Sequence, residues 1–321
     1  MAPRVLVTGA SGFVGRHLLA LLEQSGASVL AWGGPGPDGT PFAPPPDIAG
    51  TAWVGVDVLD ARAVEAAVAA TPPDVVYHLA GAAQVGGSWD RAGETLAVNV
   101  AGTHHLLDAL RRHAPAARVL VSGSALVYRP ADRALREDDP LGPANPYGLS
   151  KLAQEMLALR AWQDDGQAVV VTRSFNHIGP GQTPAFFAPS FARQVAAIEA
   201  GRQPPVIEVG NLEARRDLMD VRDTVCAYRA LMAGGQAGRV YNVCAGRAHR
   251  VGDLLQGLVA RAGIPIAVRV DPARLRPNDT PLVLGDPSRI RDELGWATEV
   301  PFERTLDDLL DDWRRRLRNE P

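Results

Sequence analysis

Lysine is almost missing from this sequence. Of 33 basic residues among 321, all but one are arginine, and the exception is Lys151. In a chain that otherwise uses arginine throughout, this position points to a site that needs a compact ammonium rather than a planar guanidinium. Cysteine is scarce as well. Cys226 and Cys244 lie on either side of a predicted helix and strand, in apolar surroundings and without paired metal spacing. This excludes a disulfide framework and gives no zinc site, so no metal is expected and both thiols read as reduced core residues. Long hydrophobic runs are absent: nothing approaches the roughly eighteen apolar residues of a membrane span. Met1 to Thr8 leads straight into a strand with no signal-peptide pattern, so the expectation is a cytoplasmic protein without a membrane partner. Charge of one sign is lacking too. A net charge of -3 gives no global attraction for nucleic acid, so an anionic ligand must be held by local arginines or helix N-termini.

What is present is apolar material, 46% of a chain longer than the usual single-core range, which predicts one large domain with a smaller partner. Arg4 to Thr8 is a β-branched run. Gly9-Ala-Ser-Gly12-Phe-Val-Gly15 then opens a segment with apolar residues at Phe13, Val14, Leu18, Leu19, Leu21 and Leu22, which reads as strand, turn and helix. Strands are predicted at Ser28–Trp32, Val54–Val56, Val75–Leu79, Arg118–Ser122 and Val169–Ser174. Helices are predicted at Ala61–Ala70, Arg91–His113 and Pro146–Asp165, while Gly33 to Gly50 is a Gly/Pro-rich loop. Strands alternating with helices over about 175 residues predict an α/β, doubly wound parallel sheet. Beyond Asn176 the pattern loosens into helices near Pro189–Ala200, Asp223–Met232, Val251–Ala262 and Phe302–Arg318 with short strands between them. We therefore expect a dinucleotide-binding domain over residues 1–175 that carries the Tyr/Lys helix. Residues 176–321 are expected to be mainly a smaller α/β substrate-binding domain, with some segments returning to the sheet. The basic end Trp313-Arg-Arg-Arg-Leu-Arg follows Asp307, Asp308, Asp311 and Asp312, acid first and base last, which fits a solvated terminal helix.

Two features carry chemistry. Glycines at 9, 12 and 15 between the first strand and helix permit a tight turn and let backbone N–H groups approach a pyrophosphate, with Ser11, Phe13 and Val14 in the same turn. Asp57-Val58 and Leu79-Ala80-Gly81 follow the third and fourth strands, where adenine and ribose contacts belong. The segment Ser28-Val-Leu-Ala-Trp-Gly-Gly offers neither an acidic NAD selector nor an arginine, so NAD and NADP both stay open. Tyr147-Gly-Leu-Ser-Lys151 places a phenol and an ammonium one helical turn apart. A neighbouring positive charge is expected to lower a tyrosine pKa toward a useful range.

These residues resemble the extended short-chain dehydrogenase/reductase superfamily along essentially the whole chain. The likeness rests on Thr8-Gly9-x-x-Gly12-x-x-Gly15, His78-Leu-Ala-Gly-Ala, Asn99-Val-Ala-Gly-Thr103, Ser122-Gly-Ser-Ala-Leu-Val-Tyr128, Tyr147-x-x-x-Lys151 and Arg173-Ser-Phe-Asn176-His-Ile-Gly-Pro-Gly181. The resemblance implies Tyr147 as acid/base, Lys151 ordering the cofactor ribose and lowering the tyrosine pKa, and Ser124 bonding the reacting oxygen. Ser122 is the rival to Ser124. Asn99 is either a cofactor-region residue or a packing amide that fixes the active-site loop. A homodimer built on the Arg91–His113 and Tyr147-bearing helices is implied as well.

The second half is similar to the nucleotide-sugar branch that includes GDP-mannose 4,6-dehydratases and GDP-4-keto-6-deoxymannose reductases. It carries Val209-Gly-Asn-Leu-Glu-Ala-Arg215-Arg216-Asp217, Asp220-Val-Arg-Asp223, Arg276-Pro-Asn-Asp and Leu284-Gly-Asp-Pro. Arg216 and Arg276 suit the diphosphate of a sugar nucleotide, and Asn176 would enter the sugar and phosphate region. Dehydration needs a carboxylic acid near the catalytic hydroxyl, and the dehydratases this chain resembles carry one just after it, where this chain has Ala125 and Leu126, so the expected reaction is NAD(P)H-dependent reduction of a nucleotide-linked 4-keto-6-deoxyhexose. The alternative is a 4-epimerase with tightly bound NAD, which Ser-Ala-Leu-Val-Tyr resembles; Arg129 stands where glycine is typical. A 4,6-dehydratase or a non-catalytic NAD(P) sensor ranks below both.

Overall fold

The computed structural model describes residues 2–36, 39–45, 51–83, 89–274 and 280–320. β1 (Arg4–Thr8) is buried from Val5 onward and leads through Gly9 into α1 (Phe13–Gln24), whose Leu18, Leu19 and Leu22 pack on the sheet. β2 (Ser28–Gly33) pairs with β3 (Ala52–Gly55), which starts and ends before the predicted Val54–Val56 because its register is set by Leu30 to Gly33. α2 (Ala61–Ala70) starts at Asp60, whose carboxylate accepts from the N–H groups of Arg62 and Ala63. That is the cap expected where the first turn of a helix leaves donors unpaired. β4 (Val75–His78) follows.

The single helix expected from Arg91 to His113 is instead interrupted. α3 (Ala92–Leu96) passes into a π turn at Ala97–Ala101 before α4 (Gly102–His113) resumes normal pitch. β5 (Arg118–Ser124), α5 (Pro146–Asp165) and β6 (Val169–Ser174) complete the first part of the chain. In the second part come β7 (Asn176–Ile178), α6 (Phe187–Glu199), β8 (Val206–Val209), β9 (Arg215–Asp220) and α7 (Val221–Gly234). β10 (Arg239–Val243), β11 (Ala248–Arg250), α8 (Val251–Ala260), β12 (Ala267–Val270) and β13 (Leu282–Val283) follow, then α9 (Ser288–Leu294) and α10 (Phe302–Asn319).

The seven-stranded sheet has the order β10-β6-β5-β4-β1-β2-β3, with every pair parallel. One face is covered by α1 and α7, through Leu18, Leu22, Tyr228 and Leu231. The other is covered by α2, α4 and α5, through Val64, Val68, Leu106, Leu110 and Ala158. Parallel strands need helical crossovers and are covered on both sides, which is why β5 and β6 read as continuous apolar runs. Strand order reverses at β1, which has β2 on one side and β4 on the other, so a crevice opens at the carboxyl ends of β1 and β4. β10 comes from the second part of the chain and closes the edge beside β6.

A separate core forms among β8, α6, α8 and α10, where Phe191, Val195, Ile207, Leu254, Leu258, Leu309, Leu310 and Trp313 meet. Each such side chain stabilises the fold by about 1.5–3 kcal/mol on leaving water, before conformational entropy is counted. Cys244 lies in a buried cluster with Phe175 and Tyr128, while Cys226 is only partly buried, so the expectation of two core thiols holds for one of them. Among the described residues no helix is long and apolar enough to cross a membrane.

Candidate active site

The glycine turn sits at the strand reversal. Gly9 has φ of 65°, and a Cβ there would lie 2.6 Å from Ala80 N, so the turn is packed directly against Leu79-Ala80 after β4. A Cβ on Gly15 would lie 2.5 Å from the Gly9 carbonyl oxygen, which forces glycine where α1 folds back on the turn. Gly12 is the N-cap of α1 and brings no side-chain cap, so the first N–H groups of the helix and the positive end of its dipole are left for an anionic ligand. Ser11 gives its carbonyl to Arg16 Nε at 3.2 Å. The cradle therefore fits a dinucleotide pyrophosphate: it is built of backbone donors and has no room for a Cβ at two of its three glycines.

Across the crevice, Asp57 is exposed and accepts from the Leu59 N–H at 2.9 Å, which fixes the turn after β3. The Val58 carbonyl pairs with His105 Nδ1 at 2.9 Å, and its side chain occupies the space that a Cβ on Gly102 would need. Gly81 is pinned in the same way: a Cβ there would stand 2.8 Å from Asn99 Oδ1 and 3.5 Å from Lys151 Nζ. Asn99 is fully buried in the π turn. It accepts from the Ala82 N–H at 2.8 Å and donates to the Ala82 carbonyl at 3.3 Å and to Ser150 Oγ at 2.8 Å. Of its two sequence readings, the geometry matches the amide that fixes the loop after β4.

α5 begins in a way that places its chemistry. Asn145 caps it by accepting from the Gly148 N–H at 2.8 Å, and Pro146 pre-sets the first helical φ. Gly148 lets this first turn approach Ala125–Val127 closely, since a Cβ there would sit 2.4 Å from the Leu126 carbonyl oxygen. Tyr147 thus comes beside the end of β5, close enough to Ser124 for that hydroxyl to favour its ionised form. Ser124 Oγ also accepts from the Leu126 N–H at 3.2 Å. Ser122, the rival, contributes its carbonyl instead, which accepts from Lys151 Nζ at 2.9 Å. Ser124, Tyr147 and Lys151 are therefore brought together, and the two serines have separate tasks.

Burial pushes the Tyr147 phenol up to about 12, against the lowering effect of the Ser124 hydroxyl. Lys151 is buried, its ammonium is drawn toward Ser122 and toward Gln154 Oε1 at 2.8 Å, and burial lowers it to about 8. Two of its three N–H donors are committed to these acceptors, so one is available to a ligand. Gln154 was not singled out from the sequence; its signal was a polar residue three places after the lone lysine on a helix that buries Ala158 and Ala161.

In the second part of the chain, Asn176 on β7 is exposed, and its backbone is held beside Leu218. Arg216 on β9 donates to the Arg215 carbonyl at 3.0 Å and the Thr280 carbonyl at 2.7 Å. Arg276 itself lies outside the described residues. Sequence reasoning did not single out Asp217 alone: buried, it accepts from the N–H groups of Ala245 and Gly246 at 2.8 and 2.9 Å and of Gly285 at 3.2 Å, fastening two loops to β9.

Comparison with known proteins agrees with this geometry. The chain is 37% identical to GDP-6-deoxy-D-mannose reductase of Pseudomonas aeruginosa, an alignment that covers 100% of both. It is 31% identical to a dTDP-glucose 4,6-dehydratase of Streptomyces niveus, over 97% of this chain and 93% of that one. Among solved structures, RMD from Pseudomonas aeruginosa complexed with NADPH superposes with a TM-score of 0.84 at 33% identity, over 98% of this chain and 100% of that chain. The model of the GDP-mannose 4,6 dehydratase family matches residues 6–309, and with the glycine turn, the Ser124–Tyr147 pair and the buried Lys151 in their places, the chain belongs to that family of the extended short-chain dehydrogenases/reductases.

Proposed function

We propose that this protein is an NAD(P)H-dependent reductase of a nucleotide-linked 4-keto-6-deoxyhexose, with GDP-4-keto-6-deoxymannose as the first substrate to try. The observation that carries the reading is the placing of Tyr147, through the close approach of Gly148 to Leu126, beside Ser124 at the end of β5, with Lys151 buried one turn on and Ala125 and Leu126 where the dehydratases carry an acid. A phenol that burial keeps protonated at neutral pH is the form a ketone reduction consumes, because the reacting oxygen must receive a proton. Ser124 orients that oxygen by hydrogen bonding. Lys151 directs its remaining donor to the cofactor ribose, and its positive charge favours the phenolate left on Tyr147 after transfer. Gly9, Ser11, Gly12, Phe13, Val14 and Gly15 would hold the pyrophosphate; Asp57, Val58, Leu79, Ala80 and Gly81 would line the adenosine and ribose side, with Asn99 holding that loop in place. When bound, the reduced nicotinamide supplies the hydride. Asn176, Arg216 and Arg276 are assigned to the sugar nucleotide.

Residues 1–175 are then the cofactor domain, and 176–321 are mainly the substrate domain, with β10 in the cofactor sheet. A homodimer through α3, α4 and α5 belongs to the same reading, supported by Leu149, Met156 and Trp162, which leave apolar surface exposed on α5. A reducing, cytoplasmic location is supported by two unpaired cysteines.

The test is incubation of the purified protein with GDP-4-keto-6-deoxymannose and NADPH or NADH, following nicotinamide absorbance and sugar products. Stoichiometric oxidation with a 6-deoxyhexose product establishes the reductase and its cofactor preference. Interconversion of UDP- or GDP-hexoses on bound NAD, with no net oxidation, would replace it with the 4-epimerase.

A further inference from the structure

Beneath the crevice lies a continuous chain of buried polar side chains. Ala80 N donates to Thr8 Oγ1 at 3.2 Å, and Thr8 Oγ1 meets His78 Nδ1 at 2.8 Å. His78 Nε2 meets Thr103 Oγ1 at 2.8 Å, Gln154 Nε2 donates to the same hydroxyl at 2.7 Å, and Gln154 Oε1 accepts from Lys151. His78 and Thr103 are fully buried and Gln154 nearly so, and they come from β4, α4 and α5.

The proton positions in this chain are determined. Thr103 Oγ1 lies 2.7 Å from the Asn99 carbonyl oxygen, which has no proton, so the single hydroxyl proton of Thr103 goes there. Thr103 is then acceptor only toward its other two partners. His78 must carry its proton on Nε2 and accept from Thr8 at Nδ1, and Gln154 must turn its amide nitrogen to Thr103 and its carbonyl to Lys151. Reversing His78 would set acceptor against acceptor at Thr103, and reversing Gln154 would do the same there and set donor against donor at Lys151, in a place water does not reach.

We propose that Thr103 and Gln154, oriented by the fixed tautomer of His78, are positioning residues that hold the Lys151 ammonium in register with the glycine-rich turn. The proposal rests on the reading of Lys151 as a cofactor-site residue. The chain joins the loop after β4 to the lysine through four side chains, so the two walls of the crevice move together. Its members stay neutral: burial lowers His78 to about 3 and the nearby Lys151 charge acts in the same direction. The titratable groups facing Lys151 are His78 from β4 and Tyr147 from its own helix; β5 presents the Ser122 carbonyl, and the π turn and α4 present Asn99 and Thr103.

The single lysine makes a direct test possible. Protein grown on [ε-13C]lysine carries one labelled side chain, whose resonance reports the Lys151 titration without chemical modification. Wild type should titrate near 8. In Thr103→Val the Gln154 amide loses the acceptor that orients it. The Lys151 midpoint should fall by about one unit or more, as expected for losing a hydrogen bond to a charge, and the Kd for the nicotinamide cofactor should rise roughly tenfold. Thr103→Ser, which keeps the hydroxyl, should restore both. Gln154→Leu should lower the midpoint and Gln154→Glu raise it.

A folded Thr103→Val protein with the wild-type resonance, midpoint and cofactor Kd overturns the proposal. If that variant does not fold, unchanged midpoints in both Gln154 variants overturn it. The resonance reads Lys151 whatever sugar is reduced, so a failed reductase assay alongside the expected titrations would count against the reductase reading alone.

Discussion

Buried polar groups are satisfied by different chemistry in two regions of this molecule. Under the crevice the partners are neutral: Thr8, His78, Asn99, Thr103, Ser150 and Gln154 bond to one another around the single ammonium of Lys151. Toward the second part of the chain they are ionic. Arg173 on β6 forms a buried pair with Glu155 at 2.6 Å, donates to the Glu137 carbonyl and lies 4.6 Å from the Tyr128 ring centre. Asp220 takes the N–H of Arg222 and the Thr305 hydroxyl, Asp223 the N–H groups of Glu299 and Val300, and Asp217 three more. The difference follows from the backbone. The crevice floor is flanked by helices and by strands that pair on both sides within the seven-stranded sheet, so most main-chain groups there are already bonded and side chains meet one another. Around β9 and α7 the N–H groups of Ala245, Gly246, Glu299 and Val300 lie in loops outside any strand or helix, and a carboxylate accepts several such groups at once.

Attacks on each region should separate them. The largest effect is expected at the crevice. Tyr147→Phe should lower kcat by roughly 10² to 10⁴-fold, the usual contribution of a positioned proton donor, while the cofactor Kd stays within twofold. Surviving turnover would remove Tyr147 from the chemistry. In the ionic region, Glu155→Leu leaves a buried guanidinium unpaired and should cost about 3–5 kcal/mol in urea unfolding, whereas Arg173→Met with Glu155→Leu should recover most of the loss. An additive double variant would show that the pair is not coupled.

Smaller and opposite effects should appear with pH. His78, depressed to about 3, binds no proton in the folded protein while the unfolded histidine does, so its contribution to stability is lost as pH falls from about 6.5 toward 3. Asp217, raised to about 6 from 3.8 chiefly by burial, keeps its proton in the folded protein after the unfolded chain has released it. Its contribution therefore declines as pH rises through that window. Between about pH 4 and 6 the two slopes oppose each other, each at up to about 1.4 kcal/mol per pH unit. Asp217→Asn should leave the histidine slope exposed, so that urea midpoints rise more steeply from pH 4.5 to 6 than in wild type; an unchanged slope would refute the raised carboxyl. The smallest effect is expected at the surface. Asp164→Asn, which breaks the exposed pair with Arg160 on α5, should change stability by less than about 0.5 kcal/mol.

Much of the crevice was legible because its signals are local. Glycines three apart after a buried strand, and a tyrosine four residues before the lone lysine, are statements about one turn and one helix face. The alternation over residues 1–175 announced the parallel sheet, as the chain order of strands and helices shows. What stayed hidden had non-local causes. The π turn at Ala97–Ala101 sits inside an apparently regular apolar period, and its purpose, aiming Asn99 at Ala82, exists only once β4 is alongside. β10 at the edge of the sheet could not be assigned from Arg239–Val243 alone, since five residues do not say which sheet they join.

The sequence by itself determined the strand–turn–helix cradle, the placing of Tyr147 and Lys151 on one helix face and the absence of an acid after Ser124, because each depends on spacing or residue identity alone. Tertiary structure decided which serine comes beside the phenol, that burial raises the Tyr147 pKa, and that His78, Thr103 and Gln154 meet. Thr8 and His78 are 70 residues apart, and only the placing of β4 next to β1 makes them neighbours. Hydrogen bonds over such distances depend on strand order and burial, which periodicity does not encode.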